Sequence, residues 1–462
     1  MAKPRQLPTP AAHVAPPLAL RPVLADEPPR LVALEREVEQ EYRPLMLQKL
    51  QQKVDAVAGS FPPAPPSCGG CGHRMWYQDR ESVCWLTRYG RMSARATRYR
   101  CPACQQERRP LLEWLGVEPG QISGSLVRLL AVLGVLASYP MAAQLAWLLF
   151  GVKVSAMGVW RVVQRLGEAA ARHNEALSAY HADGRQQQEP PSDAPPVVVL
   201  SVDGCQLGMQ VRKKRRRRVG EEKLPPLPPV QEGRFREVKT GVLLLPSERV
   251  ETSPGRRSLV RRFLVSCLGD ADALYGHLWA RLQQLGWIGA QTMVVILGDG
   301  AEWIWKRATL FSRRCEILDF WHALEHAWVF ARLRYGEGSK QADRWVHQIA
   351  QELRAGQVQE VIARLQTLRP KTPELREALQ ALIRYYSENA TRMHYDQYLR
   401  WGYGIGSGAV ESAHKQVVHA RLRQAGMRWS EAGARRLLAL RLLLLNNDWA
   451  LLDRLRMVSL AA

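Results

Sequence analysis

The sequence predicts a multidomain chain of mixed α+β and α/β type. Three observations predict it. Two Cys-x-x-Cys pairs, Cys68-Gly-Gly-Cys71 and Cys101-Pro-Ala-Cys104, bracket a small module. Apolar residues at helical spacing fill residues 31–57 and 122–180. Beyond the polar, Pro-rich HADGRQQQEPPSDAPP, short β-branched runs take over and alternate with helical segments.

Residues 1–30, at the start of the chain, are rich in Pro and Ala and are expected to be a disordered tail. Residues 31–60 form a helix carrying Leu34, Val38, Leu45, Leu47 and Leu50, and FPPAPPS ends it. The cysteine module spans 65–110. Three helices fit 121–180, separated near Pro140 and Gly151, and 181–196 is a linker. VVVLSVDG, VKTGVLLLP and SLVRRFLVSCLG read as strands, 270–286 as a helix, MVVILGDG as a strand, AEWIWKRATLF as a helix and CEILDF as a fifth strand. Three strands followed by alternating helix and strand is the order of a ribonuclease H-like mixed sheet. That domain is expected over 197–430, with a helical insertion at 322–400. The Gly-rich WGYGIGSG leads into a helix near Ser407, and 431–462 is a C-terminal helix.

Composition narrows the partner. The 462 residues are 46% hydrophobic, ample for buried cores, and 65 Lys and Arg face 43 Asp and Glu, a net charge of +22. A regular array of negative charge suits that excess: nucleic acid, or an anionic membrane surface. MAKPRQLPTPAAHVAPP has no apolar core of leader type. Leu129 to Phe150 approaches the ~20 apolar residues of a membrane span. Tyr139, Pro140 and Gln144 interrupt it, and Ser138-Tyr139-Pro140 reads as a helix stop and restart. A buried helix pair in a soluble, cytoplasmic protein is the expectation. Of the eight cysteines, Cys84, Cys205, Cys267 and Cys315 are scattered, which suits metal ligation in a reducing compartment better than a disulfide framework.

Three carboxylates carry the chemistry. Asp203 ends the first strand, Asp299 ends the fourth, and Glu411 lies in the first turn of a late helix. Strand-end residues of an α/β sheet project into the crevice at its carboxyl edge. Three acids converging there repel unless cations hold them, and Mg²⁺, bound by a few carboxylates and phosphate oxygens, suits them. Two such ions roughly 4 Å apart activate a hydroxyl and stabilise a leaving oxygen. Each acid alone has an ordinary reading: an Asp before Gly forms turns, and a Glu favours a helix N-terminus. Their order on strand, strand and late helix is more specific than any one of them. Asp319 rivals Asp299, which is preferred because Gly300 permits a tight turn after its strand. His322, Glu325 and His326 share one helix face, either in a supporting role at the acids or in structural hydrogen bonds.

The segments VDG, LGDGAEWIW, ILDFWHALEHAW and GSGAVESAHKQVVHARLRQAGMRW resemble those of bacterial insertion-sequence DDE transposases, over about residues 65 to 450. The resemblance implies that Asp203, Asp299 and Glu411 are a metal-binding catalytic triad holding two Mg²⁺, with Mn²⁺ as a substitute. It implies a helical insertion before the Glu-bearing helix, and DNA cleavage and strand transfer at element ends. Double-stranded DNA, at the element ends and the target, is then the partner, met by a homo-oligomer in the nucleoid. Two alternatives stand beside it: a transposase-derived DNA-binding regulator that no longer cuts, and a nuclease of the same fold that cuts without joining.

The cysteines supply four thiolates, the number a closed tetrahedral Zn²⁺ site takes, so the zinc is structural and the module zinc-ribbon-like. The gap between the pairs is long, placing Trp76, Tyr77, Trp85 and Tyr89 in an extended hairpin, with Cys84 and His73 as substitute ligands. Residues 140–170 read as a helix-turn-helix: PMAAQLAWLLFG, the turn GVKVS with Ser155 as N-cap, and AMGVWRVVQRLGEAA as recognition helix, with Arg161 and Arg165 facing phosphate. The run Arg212, Lys213, Lys214, Arg215, Arg216, Arg217 and Arg218 is placed to grip DNA backbone beside Asp203. Lys415, Arg421, Arg423 and Arg428 extend the basic surface past Glu411. Leu437 to Leu445, with Arg435, Arg436 and Arg441, reads as a packed helix.

Overall fold

A computed structural model describes residues 30–62, 64–118, 120–182, 193–210, 235–253, 256–259 and 261–461. The expected tail, most of the linker and the basic run from Arg212 to Arg218 lie outside the described residues.

Helix α1 (Arg30–Ser60) lays Leu47, Leu50, Val54 and Val57 on the long hairpin β1 (Trp76–Leu86) and β2 (Arg91–Arg100). There they meet Trp85, Met92, Ala94 and Ala96. Trp76, Tyr77 and Trp85 lie in β1 and Tyr89 in the turn. Short pieces complete this unit: β3 (Glu107–Arg108), α2 (Pro110–Trp114), β4 (Val117–Glu118) and β5 (Ile122–Ser123). The sheet order is β3-β2-β1-β5-β4.

Helices α3 (Gly124–Leu136), α4 (Tyr139–Phe150) and α5 (Ala156–Ala182) come next. The apolar stretch around residue 138 is broken as its Pro140 predicts. Among the described residues no helix is long and apolar enough to cross a membrane.

The second sheet contains β6 (Val197–Gly208), β7 (Phe235–Leu244), β10 (Arg262–Leu268), β11 (Met293–Gly298) and β12 (Arg314–Leu318), in the order β10-β7-β6-β11-β12. β6 pairs antiparallel with β7 and parallel with β11, which pairs parallel with β12. The runs VVVL and MVVIL are buried along their length because helices cover both faces. Helix α6 (Ala271–Gln284) links β10 to β11, and α7 (Glu302–Ala308) links β11 to β12.

SLVRRFLVSCLG is not one strand. Its first residues pair in a separate hairpin, β8 (Arg249–Ser253) with β9 (Arg256–Leu259), whereas Arg262–Leu268 pair with β7. The chain changes partner between them. CEILDF likewise ends as a strand at Leu318, because Asp319 caps the next helix.

That helix is α8 (Phe320–Tyr335), followed by α9 (Lys340–Arg354), α10 (Val358–Thr367), α11 (Pro373–Asn389) and α12 (Tyr395–Arg400). The buried hydroxyl of Tyr386 on α11 donates to Ala323 O of α8 at 2.9 Å, and Tyr398 of α12 donates to Glu316 O of β12 at 3.2 Å. Helix α13 (Gly408–His414) runs into a π turn (Lys415–His419), and α14 (Glu431–Leu445) and α15 (Trp449–Ala461) close the chain. The C-terminal region is therefore two helices, broken where Asn447 takes φ +60°.

Helices α3 to α5 share a hydrophobic core with the second sheet. Leu126, Val159, Val163 and Leu166 belong to the same hydrophobic core as Val199, Val242 and Ile296 of the sheet and Leu437 of α14. Helix α5 approaches α14 so closely that a Cβ on Gly167 would lie 2.3 Å from Arg436 O.

Candidate active site and metal centre

The register of β6 and β11 brings two acids together. The pairing Leu297↔Ser201 puts Asp203 and Asp299 two residues further along on neighbouring parallel strands. Asp299 directly follows β11, but Asp203 does not end its strand as expected, because β6 runs on to Gly208 in antiparallel pairing with β7. Asp299 Oδ1 accepts the Ala301 N–H at 3.0 Å, a turn that Gly300 makes with φ +94°. Burial pushes the Asp299 carboxyl above the usual carboxylate range, and the charge of Asp203 adds to it. Mutual repulsion of this kind is what a divalent cation between two carboxylates relieves.

Glu411 arrives from the other side. Its helix α13 packs on β6 and β7, and His414, three residues on, reaches Asp203: Nδ1 lies 3.3 Å from Asp203 Oδ2. Residues three apart share a helix face, so the exposed Glu411 lies on the side of α13 that carries His414. Among the described residues, the three carboxylates do not close to within 4.8 Å of one another, whereas the four cysteine sulfurs do. The thiols alone form a closed cluster.

Asp319, the rival acid, is a staple. It is 2% exposed. Its Oδ1 accepts the Trp321 N–H at 2.7 Å, capping α8, and its Oδ2 accepts the Ser407 N–H at 3.1 Å and the Ser407 hydroxyl. With both oxygens taken, it ties the end of β12 to the loop that launches α13. His322 pairs with Glu325, Nδ1 to Oε2 at 3.3 Å. His326 stacks on Tyr385 at 3.7 Å, and the Tyr385 hydroxyl donates to Asp299 O at 2.7 Å. Sequence reasoning missed Tyr385, Ser407 and His414. The last was findable, because Glu411 and His414 are spaced three apart in ESAH.

The cysteine cluster is built from two matching turns. Gly72 N–H donates to Cys68 O and Cys68 N–H to His73 O; Gln105 N–H donates to Cys101 O and Cys101 N–H to Gln106 O. Gly72 and Gln105 take the corresponding left-handed position, φ +75° and +61°. Backbone N–H groups of Cys71 and Gly70 hold the Cys68 thiol down to about 6, and that of Cys104 lowers Cys101. Cys68–Cys104 and Cys71–Cys101 sulfurs are 3.4 Å apart and Cys71–Cys104 3.6 Å, and all four lie within 4.8 Å of one another. A tetrahedral site with Zn–S bonds of about 2.3 Å needs sulfurs about 3.8 Å apart, so the set is compatible with a structural metal and too wide for disulfides. His73 and Cys84 are outside it: His73 Nδ1 meets Cys71 O, and Cys84 lies along β1.

The basic residues divide. Arg161, Lys415, Arg423 and Arg428 are exposed. Arg165 instead donates to the fully buried carboxylate of Glu118 at 2.5 Å, which Arg456 also holds at 2.9 Å. Arg421 is a correction to the expected basic surface. It is 1% exposed, sandwiched between Tyr139 and Trp429, and its Nε donates to Gly134 O at 3.1 Å. The carbonyls at the C-terminus of α3 carry partial negative charge that a cation satisfies. Arg441 is buried beside it, capping Gln416 O, Val417 O and Val135 O.

Compared with known protein families and with curated proteins, the chain matches none.

Proposed function

We propose that this chain is a DDE-type DNA transposase, cutting DNA at element ends and joining the freed strand to a target. The observation that carries the reading is the juxtaposition of Asp203, within β6, and Asp299, just after the neighbouring parallel strand β11, with the Glu411 helix packed on β6 and β7. The sheet order, three antiparallel strands extended by two parallel ones, supports a ribonuclease H-like domain with α8 to α12 as the helical insertion. The four-thiol cluster supports a zinc-ribbon-like module with one structural Zn²⁺.

Asp203 and Asp299 fit a divalent cation by their proximity and by the raised carboxyl of Asp299, and Glu411 would complete the shell. Two Mg²⁺ ions there would supply the charge that activates the attacking hydroxyl and stabilises the leaving 3′-oxygen. The chain's own work is to hold the phosphate between the two acids and the helix. Water attacks phosphorus, the P–O3′ bond breaks and a 3′-OH is freed; that hydroxyl then attacks a target phosphodiester, forming a new P–O bond as the target's P–O3′ bond breaks and leaves a target 3′-OH. Exposed Arg161, Lys415, Arg423 and Arg428, and a net charge of +22, suit double-stranded DNA as partner. A homo-oligomer bridging two ends in the nucleoid is part of that reading.

The test is a plasmid carrying the DNA that flanks the coding sequence, incubated with protein and Mg²⁺ beside Asp203→Ala. New 3′ ends at inverted-repeat termini, lost in the variant, are expected. Binding at the repeats with no cutting under Mg²⁺ or Mn²⁺ overturns the enzyme reading in favour of a DNA-binding regulator.

A further inference from the structure

His414 is a buried histidine with one partner. It is 5% exposed, its Nδ1 faces Asp203 Oδ2 at 3.3 Å, and its Nε2 is buried with no hydrogen-bond partner. A core histidine kept for stability is expected to satisfy both ring nitrogens, because an unmade bond in the interior is costly. A hydrogen on Nε2 would be a buried donor without a partner, whereas one on Nδ1 faces the acid.

That hydrogen has a consequence for Asp203. A carboxylate offers about four acceptor positions. The Gly204 N–H occupies one on Oδ1 at 2.6 Å, and the His414 ring lies against Oδ2 with Nδ1 at 3.3 Å. A bond on one oxygen and a buried ring against the other confine the carboxylate between them. Glu411 rides on the same turn of α13 as His414. One short helix therefore orients the first acid and delivers the third.

We propose that His414 is the positioning residue of the candidate metal site, holding the Asp203 carboxylate in the orientation that receives a divalent cation. The proposal rests on the transposase reading of the three acids, and it adds a residue that the sequence motifs did not assign. Partners of this kind typically change metal affinity by about 10–100-fold when removed.

Mn²⁺ binding to the full-length, DNA-free protein is the readout, followed by electron paramagnetic resonance of free Mn²⁺. Four chains are titrated: wild type, Asp203→Ala, His414→Leu and His414→Asn. Leu fills the space without a donor; Asn keeps an N–H close to the position of Nδ1. Asp203→Ala is expected to lose a Mn²⁺ site, His414→Leu to weaken it by about 10–100-fold, and His414→Asn to restore most of the affinity. Wild-type affinity in a folded His414→Leu chain, or equal weakening in the Leu and Asn chains, overturns the positioning role while leaving the metal site standing. If His414→Leu does not fold, the Asn chain decides, and weakened binding there overturns the proposal. If Asp203→Ala titrates like wild type, the metal-site reading fails and the role of His414 falls with it.

Discussion

The hydroxyl of Tyr385 donates a 2.7 Å hydrogen bond to the main-chain carbonyl of Asp299. The donor comes from α11, more than eighty residues further along the chain, so the helical insertion grips the backbone of the second acid rather than merely covering the sheet. The grip is tight: a Cβ on Gly300 would lie 3.0 Å from that hydroxyl. Tyr385→Phe is expected to cost about 1 kcal/mol of stability. Its effect on Mg²⁺-dependent cleavage is expected to be larger, about 10-fold or more. Cleavage rates measured beside denaturant midpoints separate the two, and an unchanged rate would refute the link.

The four thiols make a prediction about composition. Purified protein is expected to hold one zinc per chain by elemental mass spectrometry, and Cys101→Ser to lose it. Binding energy at such a site is folding energy. Proteolytic cutting within residues 61–110 is therefore expected to rise sharply in the variant or after chelation. Resistance equal to wild type without zinc would count against a metal-built module.

Glu118 has no exposed side-chain surface and lies between Arg165 and Arg456. Removing one partner of such a cluster leaves buried charge uncompensated. Glu118→Ala is expected to destabilise by about 3–5 kcal/mol, read from urea unfolding. The bridge joins β4 of the cysteine module to α5 and α15, so the loss is expected to be global rather than confined to the module.

The Glu352–Arg364 pair sets a pH dependence. The Arg364 guanidinium holds the Glu352 carboxyl below its usual 4.5. A carboxyl whose folded value is depressed stabilises above the unfolded value and loses that contribution as pH falls through the folded one. The stability gap between wild type and Arg364→Ala is thus expected to be widest near neutrality and to shrink in acid below about pH 4. Guanidinium unfolding at several pH values checks the sign.

The split among the arginines is testable with DNA. Arg423→Ala and Lys415→Ala are each expected to lower affinity across all sequences and to reduce the slope of log affinity against log salt by about 0.9 for each phosphate no longer neutralised. Arg421→Ala is expected to unfold more easily instead, with the salt slope unchanged in whatever protein remains folded. A salt-slope change at Arg421 would contradict its place between Tyr139 and Trp429.

Much of this was legible in the sequence, for a physical reason. Asp299 after its strand, paired CxxC turns and the Ser138-Tyr139-Pro140 break are local signals, set by neighbours in the chain, whereas the run of β6 past Asp203 depends on its pairing with β7. Long-range partners are not. Nothing near Arg421 distinguishes it from Arg423: both are Arg in RLRQ, and only the rings of Tyr139 and Trp429 bury one and leave the other outside. Arg165 reads as phosphate-facing because Glu118, its partner, lies 47 residues away. The strand split after Leu259 was hidden for the same reason, since partner exchange between β8 and β7 leaves no mark on local hydrophobicity.

The π turn between Lys415 and His419 holds one residue more than an α-helix would place there. Its extra carbonyls are what Arg441 caps. Deleting a single residue in that turn would return it to α geometry and rotate the downstream chain by about 100° relative to α13. Arg421 and Trp429 would then swing out of their sockets, or Glu411 out of its place. The turn thus acts as a length gauge: its residue count keeps Glu411 on one side and Arg421 and Trp429 on the other in their places, so a one-codon gain or loss there would cost more than a change of any exposed side chain.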